Sequence, residues 1–213
     1  MIEILTIPVS PLQQNCRLVL DKESGKAVVI DPGAEAERIL ATLTKKGVSC
    51  TEIWLTHSHL DHCGGVADLK KATGALVRAH AVESVMRAKV EEIAAMYGMP
   101  KGIFKNCAEP DSNLSGGETL NFAGANFEVR FTPGHSPGHV VFYCAEGNFL
   151  LAGDTVFAGS VGRTDLPGGS HEQLIASIRE HILTLPDNVR ILSGHGPDTL
   201  VGTERRSNPF LET

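Results

Sequence analysis

Apolar positions along this chain switch between strand-like and helix-like spacing, and the switches mark its elements. Residues 2–8, 16–20 and 27–30 read as strands, the first and last rich in β-branched side chains. A hairpin-type turn at 23–25 separates the second from the third, and Asp31-Pro32-Gly33 breaks the third. Residues 34–46 read as a helix, with Ile39, Leu40 and Leu43 on one face and Gly47 as its terminator. Residues 52–55 make the next strand. Residues 66–73 make a helix with Val66 and Leu69 inward, and 76–78 a short strand. The stretch 81–97 reads as helical but less amphipathic. Residues 99–117, with Pro100, Pro110 and Gly116-Gly117, show little regular pattern, as a binding loop, a lid or a surface connection would.

The second half repeats the logic. Residues 118–122 and 126–131 predict one hairpin, and 140–144 and 149–151 another. Residues 170–185 predict an amphipathic helix with Leu174, Ile175, Ile178, Ile182 and Leu185 on one stripe. Residues 189–192 predict a last strand. This order implies an α/β protein with two sheets covered by helices, a four-layer αββα sandwich, over a single domain spanning residues 1–213.

Composition narrows the class. Hydrophobic content of 42% and charged content of 21% are those of a soluble globular domain, and 213 residues suffice to bury a core. A net charge of −6 argues against broad nucleic-acid or anionic-membrane binding, so neither is expected as a partner. The first residues read as a strand rather than a signal peptide, and no apolar run reaches the roughly 18 to 20 residues of a bilayer span. The five cysteines are scattered, with no Cys-x-x-Cys pair, which fits free thiols in a reducing cytoplasm. Cys63 adjoins His62 and is either close to a metal or a small buried filler.

The candidate chemistry starts at Thr56-His57-Ser58-His59-Leu60-Asp61-His62, in a loop after the strand at 52–55. Three imidazoles and a carboxylate within six positions form a donor set suited to zinc or iron. Later strand ends carry further donors behind small or rigid residues: His135 after Thr132-Pro133-Gly134, Asp154 after Gly153, and His195 after Gly194. His57, His59 and His135 can hold a first metal and Asp61, His62 and His195 a second, with Asp154 bridging through its two oxygens. His139 competes with His135 but begins a strand, which suits a supporting residue. His80, His171 and His181 lack the Gly/Pro-flanked setting.

The set His57-Ser58-His59-Leu60-Asp61-His62, His135, Asp154 and His195 resembles the metallo-β-lactamase superfamily over nearly the whole chain. Thr132-Pro133-Gly134-His135-Ser136-Pro137-Gly138-His139 and Gly153-Asp154-Thr155-Val156-Phe157 are similar to the glyoxalase II group, the hydroxyacylglutathione hydrolases. Residues 161–169, Gly194-His195-Gly196-Pro197, Glu204-Arg205 and Asn208-Pro209-Phe210 resemble its compact bacterial branch. The resemblance implies the αββα fold and two divalent metal ions, zinc or mixed zinc and iron. Longer relatives add a C-terminal helical domain that helps hold glutathione, and none is expected here. Their glutathione-contacting lysine falls on Arg163, a substrate-binding candidate that can grip a carboxylate bidentately or instead pair with Asp165. A nearby tyrosine of the family falls on Asp165.

The expected reaction is hydrolysis of a small-molecule thioester such as S-lactoylglutathione, with Asp61 and Asp154 as catalytic residues that orient the nucleophile. One alternative is a persulfide dioxygenase, in which a single iron is held by His57, His135 and Asp154. Another is a different superfamily hydrolase such as a lactonase.

Overall fold

The computed structural model describes residues 2–107 and 109–212. The chain divides after Asn113 into two compact units.

The first unit is built on a mixed sheet. β1 (Ile2–Val9), β2 (Gln14–Asp21) and β3 (Lys26–Ile30) form an antiparallel meander. α1 (Ala36–Lys46) then crosses over, and β4 (Ser49–Trp54) pairs parallel to β3. Gly47 ends α1 in the left-handed conformation at φ 71°, where glycine carries no Cβ penalty. A four-residue helix, α2 (Leu60–Cys63), precedes α3 (Val66–Thr73). β5 (Leu76–His80) pairs parallel to β4. α4 (Ser84–Arg87), α5 (Val90–Met96) and the edge strand β6 (Ser112–Leu114) follow, giving the sheet order β1-β2-β3-β4-β5-β6. Leu18, Leu20, Val29, Ile39, Ile53 and Leu69 anchor its core. Val19, Val28 and Trp54 are equally buried, so β2 and β3, and β4 at its C-terminal end, bury both faces rather than alternating.

The second unit carries β7 (Thr119–Phe122), β8 (Ala125–Phe131), β9 (Val140–Cys144) and β10 (Phe149–Gly153), antiparallel in succession. A small separate hairpin, β11 (Val156–Phe157) with β12 (Ser160–Val161), leads to α6 (His171–His181). β13 (Arg190–Ser193) returns parallel to β10, β14 (Thr199–Leu200) pairs antiparallel beside it, and α7 (Val201–Ser207) closes the chain. Leu150, Leu174, Ile178, Ile182 and Ile191 centre its core. The pairing scheme runs β8, β10 and β13 in one direction, so their C-terminal ends share one sheet edge.

Several expectations need correction. The histidine cluster is not wholly a loop: Asp61 and His62 sit on α2. The helix expected over 81–97 is a 3-10 turn (Ala81–Glu83) followed by α4 and α5. The buried residues Glu83, Arg87, Val90 and Ala94 keep helical spacing across the break, but two of the four are charged. The irregular stretch 99–117 contains β6 and is tied down at Lys105 N–Gly64 O and Cys107 N–Arg87 O, both 2.9 Å. Asp111 extends the ladder there, its backbone N donating to the Val77 carbonyl and its carboxylate accepting from the Val77 N–H. α6 stops four residues short of 185, where a continuing helix would need Pro186 to donate to the Ile182 carbonyl, while Ile182 and Leu185 keep the apolar stripe in the turns that follow.

Candidate functional site

In the first unit the ends of β3 and β4 supply a buried polar cluster. Asp31 leaves β3 in a left-handed conformation at φ 50°. Its Oδ1 accepts from the Thr56 backbone N–H at 2.7 Å, and its Oδ2 accepts from the Thr56 hydroxyl at 2.6 Å. His62 Nδ1 lies 3.0 Å from the same Oδ2.

These contacts set the imidazole tautomers. The Thr56 hydroxyl has one proton, and Asp31 takes it. Thr56 Oγ1, 3.0 Å from His57 Nδ1, therefore accepts, and His57 carries its proton on Nδ1. Nε2 becomes its lone-pair nitrogen, and it stands 3.1 Å from His59 Nδ1. Likewise Asp31 on Nδ1 of His62 directs Nε2 of that ring to the side where Asp61 Oδ2 lies 3.9 Å away. The His57 and His62 rings are 4.0 Å apart between centroids. Asp31, His57 and His62 have donor atoms within 4.8 Å of one another, but both Asp31 oxygens are engaged, so this carboxylate suits orienting better than binding.

The turn bearing Asp61 is possible only because Gly33 has no side chain. A Cβ there would stand 1.5 Å from the Asp61 carbonyl oxygen. Cys63 is a buried filler. Its Sγ–H donates to the Ser58 carbonyl at 3.4 Å, and a hydrogen bond with Cys107 together with burial pushes its thiol well above the usual range, which disfavours a thiolate ligand.

In the second unit Asp154 stands between two histidines. Its Oδ2 is 3.7 Å from His135 Nε2 and its Oδ1 is 3.1 Å from His195 Nδ1. His135 donates Nδ1–H to the Arg163 carbonyl at 2.7 Å, which leaves Nε2 as its lone-pair nitrogen. The fully buried His139 accepts the Asp154 backbone N–H on Nε2 at 3.1 Å, so its Nδ1–H meets Thr132 Oγ1 at 3.0 Å. His139 thus holds the Asp154 backbone, as its place at a strand start suggested. Asp154 and His195 emerge from parallel neighbours, β10 and β13, with a bulge between Leu151 and Gly153 that re-aims the chain. Gly162 passes so close that a Cβ would come within 1.9 Å of the Asp154 carbonyl oxygen.

Arg163 directs Nε and Nη2 at the two oxygens of Asp165, each at 2.7 Å, on the surface. This fork holds the Asp165 carboxyl down at about 2.

The first unit therefore gathers His57, His59, Asp61 and His62, and the second gathers His135, Asp154 and His195. Sequence reasoning missed Asp31 and Thr56 as orienting groups, reading Asp31-Pro32-Gly33 only as a breaker. A carboxylate directly after a strand parallel to the one feeding the histidines was the available signal. The tautomers leave nitrogen and carboxylate donors of the type that hold zinc or iron.

Comparison with known proteins agrees with this chemistry. The family model of the metallo-β-lactamase superfamily matches residues 9–195, and the chain belongs to that superfamily of α/β, metal-dependent hydrolases. Hydroxyacylglutathione hydrolase GloC of Haemophilus influenzae is 40% identical over 209 residues, covering 97% of each chain. The BLEG-1 B3 metallo-β-lactamase structure superposes with a TM-score of 0.91 at 34% identity, covering 99% of this chain and 100% of that one. TTHA1623, solved in a di-iron-bound form, superposes with a TM-score of 0.87 at 39% identity, covering 97% and 100%. Among the described residues no helix is long and apolar enough to cross a membrane.

Proposed function

We propose that this chain is a thioester hydrolase of glyoxalase II type, cleaving a glutathione thioester such as S-lactoylglutathione to glutathione and lactate. Its donor groups would hold two divalent ions. His57, His59 and His135 would hold one ion and Asp61, His62 and His195 the other, with Asp154 available to both. The observation that carries the reading is the arrangement of Asp154, which offers one oxygen to His135 and the other to His195. The pairing of His57 Nε2 with His59 Nδ1 supports the same division. The likeness to GloC supports the substrate class. The di-iron form of TTHA1623 supports iron as an alternative to zinc.

Two such cations, when bound, supply Lewis-acid polarisation of a carbonyl and lower the pKa of water toward neutrality. The chain's residues do the rest. Thr56, Asp31 and the Arg163 carbonyl lock the imidazoles in the tautomers that present Nε2. Asp61 and Asp154, as carboxylates, accept a hydrogen bond from the attacking water and aim its lone pair at the thioester carbon. The leaving thiolate is stable without a proton, so the reaction asks for no dedicated acid. Arg163 receives a glutathione carboxylate by exchanging it for Asp165. The buried free cysteines fit a cytoplasmic setting.

The test is turnover of S-lactoylglutathione by fully metallated protein, beside a lactone, a β-lactam and glutathione persulfide. Loss of activity in His57→Ala with the thioester preferred is expected. Absence of thioester turnover, or an active His57→Ala, would refute the reading. One iron per chain with oxygen consumed on the persulfide would replace it with the dioxygenase.

A further inference from the structure

We propose that Glu204 and Asn208 are positioning residues for His135, acting through the β11–β12 hairpin. The inference rests on the reading of His135 as a metal ligand. Two ladder pairs, Val156 with Val161 and Phe157 with Ser160, are all that join the two strands, and so short a hairpin is marginal by itself. It is braced from α7 and the residue after it. Glu204 Oε2 accepts from the Gly159 N–H at 2.9 Å at the tip of the hairpin, and Glu204 Oε1 accepts from the Thr199 hydroxyl at 2.5 Å. Asn208 Nδ2 donates both to the Ser160 carbonyl at 2.9 Å and to Glu204 Oε2 at 2.8 Å.

Both side chains are buried, Glu204 at 2% and Asn208 at 1% exposure. A buried carboxylate is costly unless its hydrogen bonds are met, and here three donors converge on it. The neighbouring Arg205 and Arg206 turn instead to Asp187 on the surface. The braced hairpin leads directly into the site. Gly162 N donates to the Thr155 carbonyl at 3.0 Å, Gly162 lies against the Asp154 backbone, and the next carbonyl, Arg163, takes His135 Nδ1–H. A hairpin that drifts moves that carbonyl, and with it the tautomer and aim of His135.

The chemistry dictates the variants. Glu204→Gln puts an amide NH2 either against the Gly159 N–H and Asn208 amide, which cannot accept, or against the Thr199 hydroxyl, which must reverse, and in both cases the charge-assisted bonds are lost. Asn208→Asp turns oxygen toward the Ser160 carbonyl and the Glu204 carboxylate. Each is expected to weaken binding of one of two zinc ions by about ten- to a hundredfold in a chelator competition, as lost orienting groups do. The hydrogen-bonded His135 Nδ1–H resonance should be lost from the proton NMR spectrum. Arg206→Gln, on the same helix, is expected to change neither. If Glu204→Gln does not fold, Asn208→Ala, which keeps the Glu204 bonds to Gly159 and Thr199, gives the same readouts. Folded variants that bind both ions within twofold of the parent, while His135→Ala loses one, would overturn the inference and leave the metal reading intact. Unchanged zinc binding in His135→Ala would overturn both.

Discussion

Asp31 Oδ2 stands 3.0 Å from His62 Nδ1, and the same carboxylate caps the Thr56 backbone N–H and hydroxyl. One buried side chain thereby orients His62 directly and His57 through Thr56. Asp31→Ala is expected to cost about 10–100-fold in metal affinity, the usual effect of removing an orienting carboxylate. It also leaves the Thr56 N–H without its acceptor, at about 1–3 kcal/mol. Chelator competition and urea unfolding of the apoprotein measure the two separately. Parental metal affinity in a folded Asp31→Ala would rule out the orienting role.

Gly33→Ala should be among the more damaging small changes in the first unit. Its Cβ would meet the Asp61 carbonyl oxygen at 1.5 Å and the carbonyl carbon at 2.4 Å, and backbone has no rotamer with which to yield. A loss of about 1–3 kcal/mol is expected from such overpacking, with displacement of Asp61 and His62. Gly74→Ala is the comparator: it is left-handed but has nothing within 4 Å, so only the backbone term of about 1–2 kcal/mol applies. Equal unfolding midpoints with unchanged metal content in Gly33→Ala would contradict this account.

Local signals carried much of the fold. Gly47 ends α1 where a glycine terminator predicts, and the Leu174–Ile178–Ile182 stripe marks the α6 core. The metal-type donors were readable because His57, His59, Asp61 and His62 crowd into six positions and a glycine precedes each of His135, Asp154 and His195. What stayed hidden depends on distant partners or on very short elements. Asp31 acquires its role from Thr56 and His62, 25 and 31 positions away, and by itself looks like the end of a strand. The β11–β12 hairpin has two residues per strand, too few for periodicity, and its tethers Glu204 and Asn208 lie 45 and 48 positions away in sequence. The 81–97 stretch misled because its apolar pattern does not mark the inward side: Glu83 and Arg87 are buried while Val82, Val85 and Met96 are exposed.

His139 holds Asp154 by its backbone rather than by its carboxylate. His139→Phe keeps an aromatic ring in a fully buried position but removes the acceptor from the Asp154 N–H and the donor from Thr132. A destabilisation of about 1–3 kcal/mol is expected from the stranded N–H. The loss of kcat should exceed any change in KM if Asp154 has its proposed place at the reacting centre rather than in substrate binding. Urea unfolding and steady-state kinetics on the thioester check both. A change in KM alone would place His139 elsewhere in the function.

Arg163 is the one substrate contact expected from the sequence, and its fork is engaged by Asp165. Arg163 lowers the Asp165 carboxyl from 3.8 to about 2. A depressed folded-state value means that the pair contributes above the unfolded value of 3.8 and is lost as pH falls through about 2. Carboxyl carbon NMR should therefore find Asp165 titrating near 2 in the parent and returning toward 3.8 in Arg163→Gln. If substrate carboxylate competes with Asp165 for the same fork, Asp165→Asn releases the guanidinium and lowers KM for S-lactoylglutathione by about two- to fivefold, the range of exposed ion pairs. Arg163→Gln should raise KM, with kcat little changed in both. Identical KM values in both variants would remove Arg163 from the substrate site and leave it as a surface pair.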